Sequence, residues 1–351
     1  MIRELYIEYF RNIQALKIHP EEGINLIVGD NAAGKTSLLE AIYFLASGRS
    51  FRGTPASSLI KFEENHTLIR SKLLHYGVFH QLGMQRSRDE LRLKINGETA
   101  TRISEISRLL PVIAIHPKSD ELIIGSPDNR RRFIDQIGFH LFDNYIQITN
   151  QFSRVLKQRN SLLKQNAQLG EWQNLFIKKA DELEKKRNES IKLFNQSLTD
   201  VLKTIMPEWH VEIKQRPGYH SQQTLAEVIA ENQDKEYEKQ TSLYGPHRAD
   251  LQITVNGQAI RHVGSRGQIK VLAHVLYLTA ARLWEKHRAY QPILLMDDPA
   301  SELDAHHRQR VFEWLDNSRY QCFITCLTAE GLISYLGRVR VFKLDQGRLI
   351  D

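Results

Sequence analysis

Cysteine is almost missing from this chain of 351 residues. The two present, Cys322 and Cys326, stand four apart in an apolar segment. That excludes a disulfide framework and makes a poor metal site; they read as two small buried hydrophobes in a reducing compartment. Long apolar runs are lacking too. None approaches the 18 or so residues of a membrane span, and Met1-Ile2-Arg3-Glu4 does not have the charged-then-apolar pattern of a secretory leader. The sequence therefore predicts a cytosolic protein without membrane contact. Internal repeats and low-complexity tracts are absent, and so is any excess of acid. Lys and Arg number 48 against 41 Asp and Glu, a net charge of +7, which permits a polyanionic partner without demanding one.

What is present is ordinary globular composition, 41% hydrophobic and 25% charged, in a chain long enough for one large or two medium domains. One stretch organises it: Gly29-Asp30-Asn31-Ala32-Ala33-Gly34-Lys35-Thr36. It follows the apolar run from Ile24 to Val28. It opens a segment from Ser37 to Ala46 whose Leu38, Leu39, Ile42 and Leu45 recur at helical spacing. A strand feeding a glycine loop that caps a helix is the context of a phosphate-binding loop. Glycines let backbone N–H groups converge on an anion, and the helix adds its unpaired first-turn donors and dipole. Lys35 then reaches the terminal phosphates, and the Thr36 hydroxyl can hold Mg2+. The reading is a nucleoside triphosphate site.

Around it the chain alternates in texture. Residues 2–28 read as short strands. Two antiparallel strands, Thr67 to Leu73 and Val78 to Met84, turn about Tyr76-Gly77, and Leu91 to Ile95 ends at the hairpin signal Asn96-Gly97. Val112 to Ile115 is a further strand. From Pro127 to about Met206 the pattern is helical. Two long runs, Tyr145 to Leu169 and Trp172 to Ile205, predict an antiparallel arm, and the charged stretch from Asp181 to Glu189 reads as its solvated face. β-structure returns at Leu251 to Val255 with a second signal, Asn256-Gly257. A strong helix runs from Gln268 to about Lys286. Then come a buried parallel strand at Ile293 to Met296, a helix from Asp304 to Leu315, and strands at Phe323-Ile324 and Val339 to Leu344.

Two further constellations carry chemistry. The strand Ile293 to Met296 ends in Asp297-Asp298, at the carboxyl edge where open α/β sheets bind ligands. Asp297 suits Mg2+, and Asp298 suits orienting or deprotonating the attacking water. Ser265-Arg266-Gly267-Gln268 opens the strong helix as a second potential phosphate site. A second loop makes sense if it reaches the triphosphate held by another subunit.

Together these elements resemble an ABC-type ATPase head: Walker A at Gly29 to Thr36, a signature at Ser265 to Gln268, Walker B ending in Asp297-Asp298, and a D-loop at Ser301-Glu302-Leu303-Asp304. Within that superfamily the chain is similar end to end to the RecF family of bacterial recombination-repair proteins. The supporting residues are Phe10-Arg11-Asn12, Gly48-Arg49-Ser50-Phe51-Arg52, the segment from Pro127 to Asp135 (PDNRRRFID), that from Gly245 to Leu251 (GPHRADL), and that from Asp297 to Asp304. The implied fold is α/β, with a mixed parallel core sheet, an antiparallel β-subdomain and a helical insertion lobe bearing a short antiparallel arm. The implied division is residues 1–115 and 243–351 folding together as the ATPase lobe, with 116–242 as the helical lobe.

The resemblance implies that ATP and Mg2+ are the cofactors. Gly29 to Ser37, with Arg11 and Asn12, would bind nucleotide; Lys35 and Asp298 would be catalytic; Thr36 and Asp297 would hold the magnesium. Ser265, Arg266, Gly267 and Gln268 would grip the nucleotide of the partner subunit, with Ser301 and Asp304 communicating across the interface. Thr325 would stand in for the switch histidine of ABC heads. His116-Pro117 occupies roughly the place of the Q-loop, with no ligand assigned. The implied activity is a weak, DNA-stimulated ATPase whose ATP-bound homodimer binds duplex or gapped DNA at the nucleoid. With RecR and RecO it would direct RecA onto gaps coated by single-strand-binding protein. The other reading is a structural chromosome ATPase of the SMC type, which would need hundreds of residues of heptads.

For DNA the candidates are Arg49, Arg52, Lys61, Arg70 and Arg130. Arg130, Arg131 and Arg132 sweep around a helix and cannot all face one strand. Structural pairing, such as Arg131 with Asp135 at i, i+4, competes with DNA contact. A fold-locking turn and a ligand contact both remain open for His247 and Arg248.

Overall fold

The computed structural model describes residues 1–220, 222–288 and 291–350. The chain forms two compact units, Met1–Ser119 with Arg266–Asp351, and Asp120–Ser265.

The first unit is built from two six-stranded sheets. One is parallel at its centre, in the order Val339–Asp345, Ile24–Val28, Cys322–Cys326, Ile293–Met296, Val112–Ile115, with Arg348–Ile350 added antiparallel at the edge. Its inner strands are apolar on both faces because both faces are covered. Cys322 and Cys326 lie there as free, buried thiols. The other sheet is antiparallel, in the order Ile13–Ile18, Ile2–Phe10, His66–His75, Val78–Ser87, Leu91–Ile95, Glu98–Ala100. Asn96 and Gly97 turn its last hairpin with φ of 53° and 87°, the left-handed pair that a two-residue turn requires.

The helix Lys35–Ser47 buries Leu38, Leu39, Ile42, Phe44 and Leu45 in one core with residues of both sheets. That core fixes the helix's start. Gln321 clamps the N-terminus as well, accepting from the Ile2 N–H at 2.7 Å and donating to the Ile2 carbonyl at 2.8 Å.

The second unit carries Pro127–Leu141, Tyr145–Lys164 and Glu171–Ile205 as its main helices. Four short helices, Glu121–Ile124, Leu225–Glu231, Gln233–Lys239 and Ile260–Val263, and a three-stranded sheet join them. Helices of 20 and 35 residues span about 30 and 52 Å at 1.5 Å per residue. Phe152, Val155, Phe176, Ala180 and Leu183 seal them together. Arg159 and Glu236, both fully buried, pair at 2.5 Å, and Arg159 also donates to the Ser242 hydroxyl at 2.6 Å.

Two sequence expectations fail here. Arg131 does not pair with Asp135. That carboxylate is taken by the buried Arg187, bidentate at 2.8 Å, and by the Tyr145 hydroxyl at 2.6 Å, while Arg131 donates to the Ala249 carbonyl. The fork of an arginine across the helix packing outcompetes a neighbour on the same helix. The stretch from Asp181 to Glu189 is likewise not wholly solvated, since Leu183 and Arg187 turn inward.

Candidate nucleotide site

The loop from Gly29 to Gly34 closes because its glycines allow it. A Cβ on Gly29 would lie 2.2 Å from the Leu344 carbonyl oxygen, and Gly34 adopts φ 105°. Ala32 also takes a left-handed φ of 65°, strain that a bound anion can offset. Asn12 braces the curl, its amide donating to the Ala32 carbonyl and its oxygen accepting from the Ser37 hydroxyl, both at 2.8 Å. Lys35 folds back on the loop, its ammonium donating to the Gly29 and Asp30 carbonyls at 2.5 and 2.9 Å.

Across the loop stands the acidic strand end. The Thr36 hydroxyl donates to Asp297 Oδ1 at 2.8 Å, although the two residues are 261 positions apart. Burial pushes the Asp297 carboxyl above the usual range, opposed by the hydrogen bonds from Thr36 and Thr325. Asp298 sits at φ 50°, ψ 50°, an uncommon place for a residue with a side chain. Its carbonyl accepts from the Ser301 N–H and hydroxyl.

A cleft of about 800 Å3 joins these parts. It is lined by Asp30 to Ser37 together with Arg11, Asn12, Asp297, Asp298 and Thr325. Arg52, Lys61, Phe62, Pro117 and Leu327 complete the wall. Arg11 faces the cleft but is committed to the protein, bidentate to buried Glu40 at 2.9 and 3.0 Å and bonded to Thr54.

The basic candidates for DNA divide. Arg52 and Lys61 belong to this cleft, which the sequence reading missed. Arg49 and Arg70 are exposed. Arg130 is not on the surface: it is 2% exposed, pairs with Asp250 at 2.6 Å and donates to the Ile123 and Gly125 carbonyls. It leaves the list of DNA contacts, because a phosphate cannot reach a guanidinium already enclosed. His247 likewise locks a turn, its Nε2 2.9 Å from the Ser242 carbonyl.

Ser265, Arg266, Gly267 and Gln268 are exposed at the start of the helix Arg266–Arg288. Within the first unit, Arg266, Gly267 and Gln268 do not line the cleft. Asp304 caps the helix Ala305–Asp316, accepting from the His307 N–H at 3.0 Å, and this bond with the one from the His307 ring holds its carboxyl below the ordinary value. Lys270 on the helix Arg266–Arg288 meets Glu302, three residues after Pro299, at 2.6 Å.

The profile of the RecF/RecN/SMC N terminal domain matches residues 1–349. The protein called DNA replication and repair protein RecF in Hydrogenovibrio crunogenus is 35% identical over 358 residues, covering 100% of this chain and 99% of that protein. The chain belongs to the RecF family. Its counterpart in Shewanella denitrificans is 33% identical over 354 residues, with 99% and 98% coverage. A solved structure of the recombination mediator protein RecF with ATP, from the RecFOR pathway, superposes with a TM-score of 0.87 at 27% identity, over 100% of this chain and 98% of that one. The Smc head of Pyrococcus furiosus bound to the C-terminal domain of ScpA gives 0.60 at 16% identity, over 99% and 95%. That match shows the fold alone, that of an Smc head domain. Among the described residues no helix is long and apolar enough to cross a membrane.

Proposed function

We propose that this RecF-family chain is an ATP-switched DNA-binding protein of DNA replication and recombinational repair. ATP held in the cleft closes two copies around duplex or gapped DNA, and slow hydrolysis releases them. The observation that carries the reading is the meeting of Thr36 and Asp297 at 2.8 Å, which joins a phosphate loop to an acid pair at one strand edge.

The donors fit Mg2+: a hydroxyl and one carboxylate, with substrate phosphates and water completing the shell, are what that ion takes. Thr36 and Asp297 would hold it, and it would neutralise charge developing on the β- and γ-phosphates. Lys35 turns from its carbonyls to the β/γ oxygens. Asp298 orients a water and takes its proton as the water oxygen bonds to the γ-phosphorus; the bond to the bridging oxygen breaks, leaving ADP and phosphate. Thr325 positions both acids rather than touching phosphate. Ser265 and Gly267 of the second copy cover the γ-phosphate, and Ser301 and Asp304 lie along the same interface. The exposure of the signature residues supports this assembly, since a helix N-terminus brings the donors and the dipole end that an anion takes.

On DNA, Arg49 and Arg70 and the net positive charge supply phosphate contacts, so affinity falls with salt. The partners in this reading are RecR and RecO, which together with this protein direct RecA onto gaps. The same reading places it in the cytoplasm at the nucleoid. The SMC-type alternative loses support from the arm, whose two helices are joined across residues 165–170 with no heptad array between them.

Sedimentation with and without ATP and gapped DNA, at two salt concentrations, tests the proposal. Wild type should dimerise with ATP, Asp298→Asn should stay dimeric, and Ser265→Arg should remain monomeric while still binding nucleotide. A chain that binds ATP yet stays monomeric under every condition overturns the clamp.

A further inference from the structure

A seam in the second unit runs between the long helix Glu171–Ile205 and the short pair Leu225–Glu231 and Gln233–Lys239. At one end an opening of about 320 Å3 is walled by Gln168, Gln173, Asn174, Gln233 and Tyr237, four amides and a phenol with no charge among them. Asn174 also lines the next opening, of about 560 Å3, so the two are continuous. There Ile177 and Ala226 stand with a charged quartet, Lys178, Asp181, Glu182 and Lys185, whose two cations and two carboxylates cancel.

The walls are set before any ligand arrives. The Tyr237 hydroxyl donates to the Ala167 carbonyl at 2.9 Å, and Glu236 beside it is held by Arg159 and by the Leu243 N–H. Leu225 and Ile229 pack with Phe176, Ala180 and Leu183 beneath. Gly170 takes φ 50°, and a Cβ there would meet nothing within 4 Å, which leaves the mouth clear. Two groups remain unanswered. Gln173 Oε1 is enclosed and accepts no hydrogen bond from any described residue, and a buried acceptor is costly until a donor reaches it. Partial burial raises the Asp181 carboxyl, with no charged partner acting against that rise.

We propose that the seam is the docking groove for an extended segment of a partner protein, held through its main-chain amides by Gln168, Gln173 and Gln233 and through its side chains at Ile177 and Asp181. A carboxamide donates and accepts together, as every peptide unit does, so amides in a row suit a backbone. A polyanion suits the seam poorly, because no net positive charge lines it. From Gln173 to Lys185 the helix advances about 18 Å, the reach of roughly five or six extended residues. The occupant is therefore a short stretch, uncharged and polar at one end, then apolar over Ile177, then basic beside Asp181. Because the walls are preformed, little ordering of this chain is needed on binding.

The test uses random heptapeptides displayed on phage and panned against the full chain. Enriched sequences are remade as capped peptides and titrated by fluorescence anisotropy. Affinity should fall by about ten- to a hundredfold in Gln173→Leu and in Gln233→Leu, and in Asp181→Lys for peptides that carry a basic residue. Asp181 is exposed, so its variant stays informative should either glutamine variant unfold. A library without enriched members overturns the proposal, as do peptides that bind all three variants as tightly as wild type. Displacement of the peptides by an oligodeoxythymidine would assign the seam to nucleic acid, and self-association lost in Asp181→Lys on sedimentation would assign it to a second copy; either result overturns it. No nucleotide enters these titrations, so a failure of the ATP reading would leave them unaffected.

Discussion

The Thr325 hydroxyl donates to Asp297 Oδ1 at 2.9 Å, and Thr325 Oγ1 in turn accepts the Asp298 N–H at 2.8 Å. One fully buried side chain therefore ties the proposed magnesium residue to the proposed water-activating residue. Thr325→Val keeps the shape but leaves a buried N–H without its acceptor, at a cost of about 1–3 kcal/mol. Phosphate release should fall by about ten- to a hundredfold while ATP affinity stays within a few-fold, and Thr325→Ser should keep most of the rate. Wild-type turnover in the valine variant would show the tie to be idle.

Lys35 is held by two carbonyls of its own loop, so binding ATP exchanges those bonds for charge-assisted ones to phosphate. Charged hydrogen bonds contribute about 1.5–3 kcal/mol. Lys35→Ala should weaken ATP by tenfold or more and abolish turnover, and Lys35→Arg should retain some binding without hydrolysis. Thermal melts give an independent check. ATP at a hundred times its Kd stabilises the wild type by about 2.7 kcal/mol, and the alanine variant should show little of that rise.

What could be read in advance was whatever a short segment dictates by itself. The glycine loop, the turns at Asn96-Gly97 and Asn256-Gly257 and the long amphipathic helices all carry local signatures. The final hairpin escaped notice because Gln346 adopts φ 44° without belonging to the residue types that announce a turn. Pairs distant in sequence were invisible for a different reason. Arg130 finds Asp250 and Arg187 finds Asp135 across 120 and 52 positions, and nothing near either arginine distinguishes an enclosed guanidinium from one offered to DNA. Arg52 and Lys61 failed the same way, since positive charge alone does not say which anion it meets.

Glu40, on the helix that follows the loop, is fully buried and is held by Arg11 and by the Ser50 hydroxyl. Glu40→Ala leaves the Arg11 guanidinium, which faces the cleft, without its carboxylate, a loss of about 1.5–3 kcal/mol for a charged hydrogen-bonded pair with one partner enclosed. Denaturant midpoints should drop accordingly. The double variant Arg11→Met, Glu40→Leu should recover much of that loss, because an apolar pair of similar volume removes the uncompensated charge. Additive losses in the cycle would show that the two side chains do not depend on each other.

Acid should weaken both units through histidines that burial holds neutral, among them His116 in the first unit and His247 in the second. Burial pushes both His116 and His247 down to about 4, against about 6.5 in the unfolded chain. His116 accepts the Lys118 N–H on Nδ1, and His247 directs Nε2 at a carbonyl while its Nδ1 has no partner; a second proton therefore costs a bond in one and buries a lone charge in the other. Between pH 6.5 and 4 the unfolded chain binds these protons and the native chain does not. The stabilisation is thus complete above about pH 6.5 and is lost as pH falls through about 4, by up to about 3 kcal/mol for each residue. Paired carboxylates act in the same direction at the acid end, so the measurement is a difference. Urea midpoints at pH 7.5, 6 and 5 should fall less steeply in His116→Asn and in His247→Gln than in wild type, and profiles parallel to wild type would count against the assignment.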